Sequence, residues 1–175
     1  QIITRCAVKT IGNNTVRVKV AKSDPPTVLT ALEAASLTGY VAAIIPAGVV
    51  FQIVNVAADK LYIDADIYYN GEYAATISDS VIESINAYLE GLPADGTVEI
   101  SALQNAINDT PGVTDVKLNE VRARQDSVAF ASATVVYKLS TGVNLRIWNT
   151  VSASMVEETT VGNTFADTLN FIAAS

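Results

Sequence analysis

The sequence contains no histidine and one cysteine, Cys6, and these two shortages remove several classes of chemistry. Without histidine, a single chain forms neither a Ser-His-Asp nor a Cys-His catalytic site. The usual zinc sites built from cysteine and histidine are excluded for the same reason. Because Cys6 has no second cysteine to pair with inside the chain, we interpret it as a small apolar residue of the interior.

Charged residues are also scarce. They make up 17% of the chain, against about 25% in average proteins, while half of the residues are hydrophobic. Either a partner covers part of the exterior or a sheet-rich core accounts for this composition. The net charge is −7, and an acidic chain repels phosphate backbones. The densest basic spot, Arg122 and Arg124, is interpreted as a solvated strand face, so no nucleic-acid partner is predicted.

The most apolar stretch, residues 40–58, reads YVAAIIPAGVVFQIVNVAA. A membrane span needs about 20 continuous apolar residues. Pro46 and Gly48 break this run, which instead predicts a helix end, a turn and a strand without membrane insertion. The sequence begins at Gln1 rather than methionine and shows no signal peptide at its start. We therefore expect that an N-terminal portion has been removed or lies outside this sequence.

The first part of the chain, residues 1–57, has the pattern of a β-β-α-β unit. Residues 2–22 predict two strands, because valines alternate with basic residues in the run TVRVKVA. Two prolines make residues 23–27 a loop. A helix is expected over residues 28–44 and a further strand over residues 48–56.

The second part, residues 58–140, has the pattern of a β-α-α-β-β unit. Its first strand shows a clear two-residue alternation. Two helices follow, and their starts are predicted from capping-box spacings at Ser80/Glu83, with Ser78 as a competing cap, and at Ser101/Gln104. The last two strands are predicted at residues 113–121 and 128–139, as antiparallel neighbours.

The third part, residues 141–175, is a strand-rich tail. Its strands are predicted in the runs NLRIWN and LNFI. The chain as a whole therefore predicts an α+β fold with two small mixed α/β units followed by this tail, divided as residues 1–57, 58–140 and 141–175.

The run LYIDADIYYN holds the main candidate for a chemical site. Asp64 and Asp66 are two residues apart on a predicted strand, so their carboxylates lie on one face. Paired carboxylates are typical of two-metal sites, and a metal-dependent nucleotidyltransferase is one alternative. That chemistry also needs a Gly-Ser turn for the triphosphate, which the sequence lacks. It needs a third carboxylate as well, and nothing distinguishes Glu99 from Asp115 in that role.

The other alternative for the same strand is an ordinary polar face. Tyr62, Asp64, Asp66 and Tyr68 share that face, opposite the apolar residues, and it is open to water or to another subunit. Elsewhere, Glu157 and Glu158 are interpreted as a charge pair in a loop or at a strand edge.

Trp148, the only tryptophan, is interpreted as a core or interface anchor. The glycines match neither the dinucleotide-binding nor the P-loop fingerprint. We therefore predict no catalytic residues, no metal ligands, no cofactor and no small-molecule substrate.

Four features follow one another along the middle of the chain. They are an Ala47-Gly48-Val49 turn into a strand, an alternating strand after Ala58-Asp59, a helix ending in Tyr88-Leu89, and a short helix from Ser101 closed by Pro111-Gly112-Val113 before Asp115-Val116. In this order they resemble the baseplate J-like family, the baseplate wedge proteins of contractile phage tails and related injection machines. The resemblance covers residues 46–121. The chain lacks the N-terminal extension that many members have.

The resemblance implies a structural role. Wedge proteins of this family assemble with their neighbours into a ring around the central spike and tube, so the expected partners are other baseplate and tail proteins and further copies of the chain. The expected location is the tail baseplate of a virion made in a bacterial cytoplasm. The family brings no catalytic residues. The hypothesis for Tyr62, Asp64, Asp66 and Tyr68 is then contact with a neighbouring subunit, since tyrosine is enriched at interfaces. An adhesin-like or fibre-anchoring module remains a third alternative.

Overall fold

The computed structural model describes residues 2–23 and 25–174, so Gln1, Ser175 and Asp24 of the predicted 23–27 loop lie outside it. The chain has the predicted α+β fold. The strands are β1 (Ile3–Thr10), β2 (Thr15–Lys22), β3 (Val50–Val54), β4 (Asp59–Asn70), β5 (Thr97–Glu99), β6 (Val113–Arg124), β7 (Thr134–Lys138), β8 (Val143–Asn144), β9 (Ile147–Asn149), β10 (Met155–Glu157) and β11 (Leu169–Ala174). The helices are α1 (Ala31–Ile44), α2 (Ile77–Gly91), α3 (Ile100–Asn108) and α4 (Phe165–Thr168), with single 3₁₀ turns at Gly71–Tyr73, Phe130–Ser132 and Leu139–Thr141. Among the described helices, none combines the length and apolar character needed to cross a membrane.

An N-terminal sheet has the strand order β1-β2-β3, with β1 antiparallel and β3 parallel to β2. Helix α1 connects the two parallel strands, and the predicted β-β-α-β order is confirmed. The helix begins later than residue 28 because Thr30 caps it. The Thr30 hydroxyl accepts the backbone N–H of Glu33, and the Glu33 carboxylate accepts the N–H of Thr30 at 2.7 Å.

Cys6 lies exposed on β1, so its interpretation as an interior residue is wrong. Leu29, just before α1, and Ala34 and Leu37 of the helix pack on Val18 and Val20 of β2. Part of β1 stays uncovered. The sequence pattern of a strand shows which face a residue takes, but not whether another element covers that face.

The central sheet has the order β10-β4-β6-β7-β8, and β11 also pairs with β4. On one side β4 runs antiparallel to β6, while on the other it pairs in parallel with β10 near Asp59 and with β11 from Ala65 onward. The LNFI strand is thus confirmed as the start of β11. The NLRIWN run instead divides into β8 and β9, and β9 pairs with β5 in a separate two-stranded sheet.

The main core lies between the central sheet and helices α2 and α3. Residues Leu61, Ile63, Ala65 and Ile67 of β4 have no exposed surface, and they pack with the apolar faces of both helices. The helical residues buried there are Ile77, Val81, Ile85, Leu89, Ile100, Leu103 and Ile107. Burial of these side chains provides the main favourable free energy of folding, at roughly 25 cal/mol per Å² of apolar surface.

Both predicted capping boxes are wrong. Helix α2 begins at Ile77 after Thr76, and α3 begins at Ile100 after Glu99, so Ser80 and Ser101 lie inside their helices. Ile77 and Ile100 are 2% and 5% exposed, respectively. Because these two side chains are buried in the core, each helix begins before the serine that its capping-box spacing predicts as the N-cap.

The basic face of the N-terminal sheet rests on the end of α2 and on the loop before β10. Arg5 donates hydrogen bonds to the backbone carbonyls of Glu90 and Leu92, where the helix dipole is negative. The Lys19 ammonium is buried, with its Nζ 2.5 Å from Asp95 Oδ1 and 2.5 Å from the carbonyl oxygen of Thr150. The hydrogen bond from Lys19 holds the pKa of Asp95 below its usual value.

Substituting Asp95→Asn is expected to destabilise the chain by about 3 kcal/mol, because it leaves the buried Lys19 ammonium without its counterion. Lys19→Met is expected to cost less, about 1 kcal/mol, since Asp95 is 31% exposed and water can solvate it. The control is Lys9→Met, because Lys9 pairs with Asp95 from a side chain that is 67% exposed. Urea denaturation measures all three, and a larger loss for Lys9→Met than for Asp95→Asn would show that burial does not decide the effect.

Gly112 immediately precedes β6 and has a backbone conformation that few other residues adopt. Its φ is +95°, and an added Cβ would lie 2.5 Å from Cγ of Tyr73. Its carbonyl accepts the N–H of Asn70 at 2.9 Å, which closes the end of the β4–β6 pair.

We predict that Gly112→Ala destabilises the chain by about 2 to 4 kcal/mol, from positive φ and from overlap with the Tyr73 ring. Gly71→Ala is the control, because nothing lies within 4 Å of a Cβ there. In a Tyr73→Ala background the ring overlap is absent, so Gly112→Ala should destabilise the chain only through the cost of its positive φ. Thermal unfolding of Gly112→Ala, Gly71→Ala, Tyr73→Ala and Tyr73→Ala/Gly112→Ala measures these two costs. Equal effects at positions 71 and 112 would refute the assignment.

Candidate interface on the outer face of the central sheet

The alternation of β4 separates its residues onto two faces. Tyr62, Asp64, Asp66 and Tyr68 lie on the face opposite α2 and α3, where each is partly exposed. The structure therefore places the four residues predicted from the sequence on one face, which we call the outer face. Across the strand pair they stand opposite Arg122, Glu120, Lys117 and Asp115 of β6.

The two aspartates of the outer face are held by donors from neighbouring strands. Asp66 accepts hydrogen bonds from Asn170 of β11 at 3.2 Å and from Lys117 of β6 at 3.1 Å. The hydrogen bond from Asn170 has the larger effect on the pKa of Asp66, and together with the one from Lys117 it lowers that pKa. Asp64 accepts from the Asn119 amide at 3.2 Å, because a bulge in β6 brings that side chain beside it.

A second cluster completes the outer face toward β7. Glu120 accepts from Arg122 Nε at 2.6 Å and from Lys138 Nζ at 2.9 Å. Burial would raise the pKa of Glu120, but the two hydrogen bonds together outweigh it and the pKa is lowered. Phe130 packs edge-on against Tyr62, with ring centroids 5.2 Å apart, and lies under the Arg122 guanidinium at 5.4 Å.

The position of Phe130 corrects the strand predicted over residues 128–139. Only Thr134–Lys138 forms a strand, β7, although it is the predicted antiparallel neighbour of β6. Residues Phe130–Ser132 form a 3₁₀ turn. The alternating residues predicted a strand from residue 128, but Phe130 lies in the 3₁₀ turn and packs on the outer face instead of continuing the sheet.

The remaining residues proposed for a metal site lie apart or carry other contacts. Glu99 belongs to β5, in a different sheet, and Asp115 stands opposite Tyr68 with its Oδ1 accepting the N–H of Val116. Over residues 2–23 and 25–174, no three Asp, Glu or Cys side chains group together as metal ligands would. The outer face is instead a surface of carboxylates, amides, ammonium groups and aromatic rings, a chemistry suited to polar recognition.

One buried ion pair was missed by the sequence analysis. Arg124 donates from Nε and Nη2 to the Glu158 carboxylate at 2.6 and 2.7 Å, and both side chains are almost fully buried. The interpretation of Arg124 as solvated is therefore wrong, and Glu158, which directly follows the edge strand β10, is paired with Arg124. The adjacent Glu157 points elsewhere, to the N–H of Phe165 at 2.5 Å. The two partners are 34 residues apart in the sequence, so no local sequence pattern predicts their contact.

Two other residues anchor the tail. Asp59 is fully buried and accepts the N–H of Val151 at 2.6 Å, and burial is the main cause of its raised pKa. Trp148 packs partly buried against the core, which confirms the interpretation as a core anchor. Its indole N–H is buried without a hydrogen-bond partner in the described part of the chain.

The Arg124–Glu158 pair predicts a specific pH dependence. Burial would raise the pKa of Glu158, but the hydrogen bonds from Arg124 and Thr160 outweigh it and lower the pKa from 4.5 to about 2. A lowered folded-state pKa gives stability that is complete above the unfolded value of 4.5 and is lost as the pH falls toward 2.

Glu158→Gln is therefore expected to cost about 3 kcal/mol or more at pH 7, because Arg124 stays buried without a counterion. The difference from the unmodified chain should be about 2 kcal/mol smaller at pH 3 than at pH 6. Glu157→Gln serves as the control, with one backbone contact to lose. Denaturant unfolding at several pH values measures this, and a pH-independent difference would contradict it.

Part of the chain matches a known protein family. Residues 62–134 match the family described as the baseplate J-like protein C-terminal domain. The match spans less than half of the chain and runs from β4 into the start of β7, so it contains most of the outer face. No curated protein sequence matches the chain.

Proposed function

We propose, from the match of residues 62–134 to the baseplate J-like protein C-terminal domain family, that the chain is a structural subunit of a contractile-tail baseplate. In this role it is a wedge component that joins its neighbours into a ring around the central spike and tube. The family match is the single observation that carries the proposal, and it supports a place in the tail of a virion. The chain acts by binding other tail proteins and copies of itself, not by catalysis.

The outer face of the central sheet is proposed as a contact with a neighbouring subunit. Asp66 and Glu120 have basic partners within the chain, and Asp64 accepts from the Asn119 amide, so a protein neighbour can cover Asp66 and Glu120 without burying an unpaired charge. Tyr62 and Tyr68 present partly exposed rings beside these pairs, and such rings supply contact area at little entropic cost.

The division of the chain at residues 57/58 and 140/141 stays a prediction. The pairing of β10 and β11 with β4 supports a tail that folds together with the central unit. The alternative based on Asp64 and Asp66, a metal-dependent nucleotidyltransferase, also stays a prediction. It requires Mn²⁺ or Mg²⁺ binding that Asp→Asn substitution at these positions removes.

The proposal is tested by recovering the tagged chain from lysate of the cells that encode it and identifying bound proteins by mass spectrometry. We expect sheath, tube or spike proteins with the unmodified chain. The double variant Tyr62→Ala/Tyr68→Ala should recover at least about tenfold less, since buried aromatic residues dominate interface energies. Tyr62→Phe/Tyr68→Phe, which keeps both rings, is the matched control.

Circular dichroism of each variant must first show that the chain is folded, because Tyr62 also packs on Phe130. Recovery of unrelated metabolic proteins would overturn the baseplate role. Tail proteins recovered equally by the alanine variant would leave that role standing but remove the outer face as the contact.

A further inference from the structure

Part of the N-terminal sheet is left open by the one helix that packs on it. Three strands about 4.8 Å apart are wider than one helix of about 10 Å diameter. Helix α1 lies over Val18 and Val20 of β2, and Cys6 and Val8 of β1 remain exposed. A cleft of about 570 Å³ opens between α1 and the sheet, and its lining is almost wholly apolar.

Helix α1 is itself only partly covered. Each of its residues is at least partly exposed, and Leu32, Tyr40 and Ile44 are 78%, 65% and 62% exposed. Glu33 is its single charged residue, and its carboxylate is held by Lys22 Nζ at 2.6 Å. A helix that is apolar on all sides is typical of one that is buried on more than one side.

These two features complement each other within one chain. The cleft is lined by apolar residues of the sheet and of α1, and the free side of α1 needs an apolar surface to cover it. We propose that a second copy of the chain docks here, so that the two α1 helices lie side by side between the two N-terminal sheets. Each α1 then fills the cleft of the other copy, which is the self-complementary contact that two-fold symmetry requires.

The size and the charge of the surface agree with this occupant. The exposed apolar side chains of α1 and β1 offer on the order of 600 Å², near the roughly 800 Å² that each partner contributes to a standard interface. Two copies bring like surfaces together, which is unfavourable when those surfaces carry net charge. Here the one acidic group, Glu33, already has a basic partner in its own chain.

This inference extends the proposed function by assigning a surface to the contact between copies. Its test uses the purified chain alone, so it fails or succeeds independently of whether other tail proteins are recovered. The chain also provides its own probe, since Cys6 is its only cysteine and lines the cleft.

Sedimentation equilibrium at about 50 µM is expected to give twice the chain mass of 18.4 kDa. In Leu32→Glu/Tyr40→Glu we expect a monomer, with Cys6 reacting about tenfold faster with a maleimide because the cleft is no longer covered. The matched control is Leu139→Glu/Leu145→Glu, two exposed apolar residues outside the N-terminal sheet, which should stay dimeric.

A monomeric unmodified chain whose Cys6 reacts at the rate of the double variant would overturn the proposal. So would a dimer that survives Leu32→Glu/Tyr40→Glu with Cys6 still protected. A pure chain that is monomeric at about 50 µM, with Cys6 protected only inside an assembled particle, would also overturn the proposed docking of two free copies.

Discussion

The two-residue alternation of β4 is the constraint on which most of the structure depends. Leu61, Ile63, Ala65 and Ile67 face α2 and α3 with no exposed surface, and Tyr62, Asp64, Asp66 and Tyr68 form the outer face. A slip of one residue against β6 would put Asp64 and Asp66 into the core and expose Ile63 and Ile67. Such a slip would also break the parallel pairing with β10 and β11, so the tail holds its place only while β4 keeps its register.

The sequence predicts this strand and its faces because alternation is a local property of the chain. It does not predict the helix starts at Ile77 and Ile100, since burial in the core overrides the nearby capping residues. The Arg124–Glu158 pair is also beyond sequence reasoning, because two distant segments create it. The exposure of Cys6 follows from the width of the sheet relative to one helix, a relation that the pattern of a single strand does not contain.

Two unlike surfaces emerge from the fold. The outer face of the central sheet is polar, and Asp66 and Glu120 are paired with basic residues inside the chain. Polar surfaces of this kind favour specific contacts over strongly hydrophobic ones. The cleft beside α1 is apolar and has little charge, which is typical of more permanent contacts. In the proposed assembly, the cleft holds copies together and the outer face contacts a neighbouring subunit.

The most direct measurement of the central claim is to locate the chain in whole particles. A gold label on the tagged chain, viewed by electron cryomicroscopy in contractile particles from the cells that encode it, reports its position. We predict label at the end of the tail that carries the baseplate, in several copies around the axis. Label absent from particles, or found only on free protein in the lysate, would contradict a structural role in the baseplate.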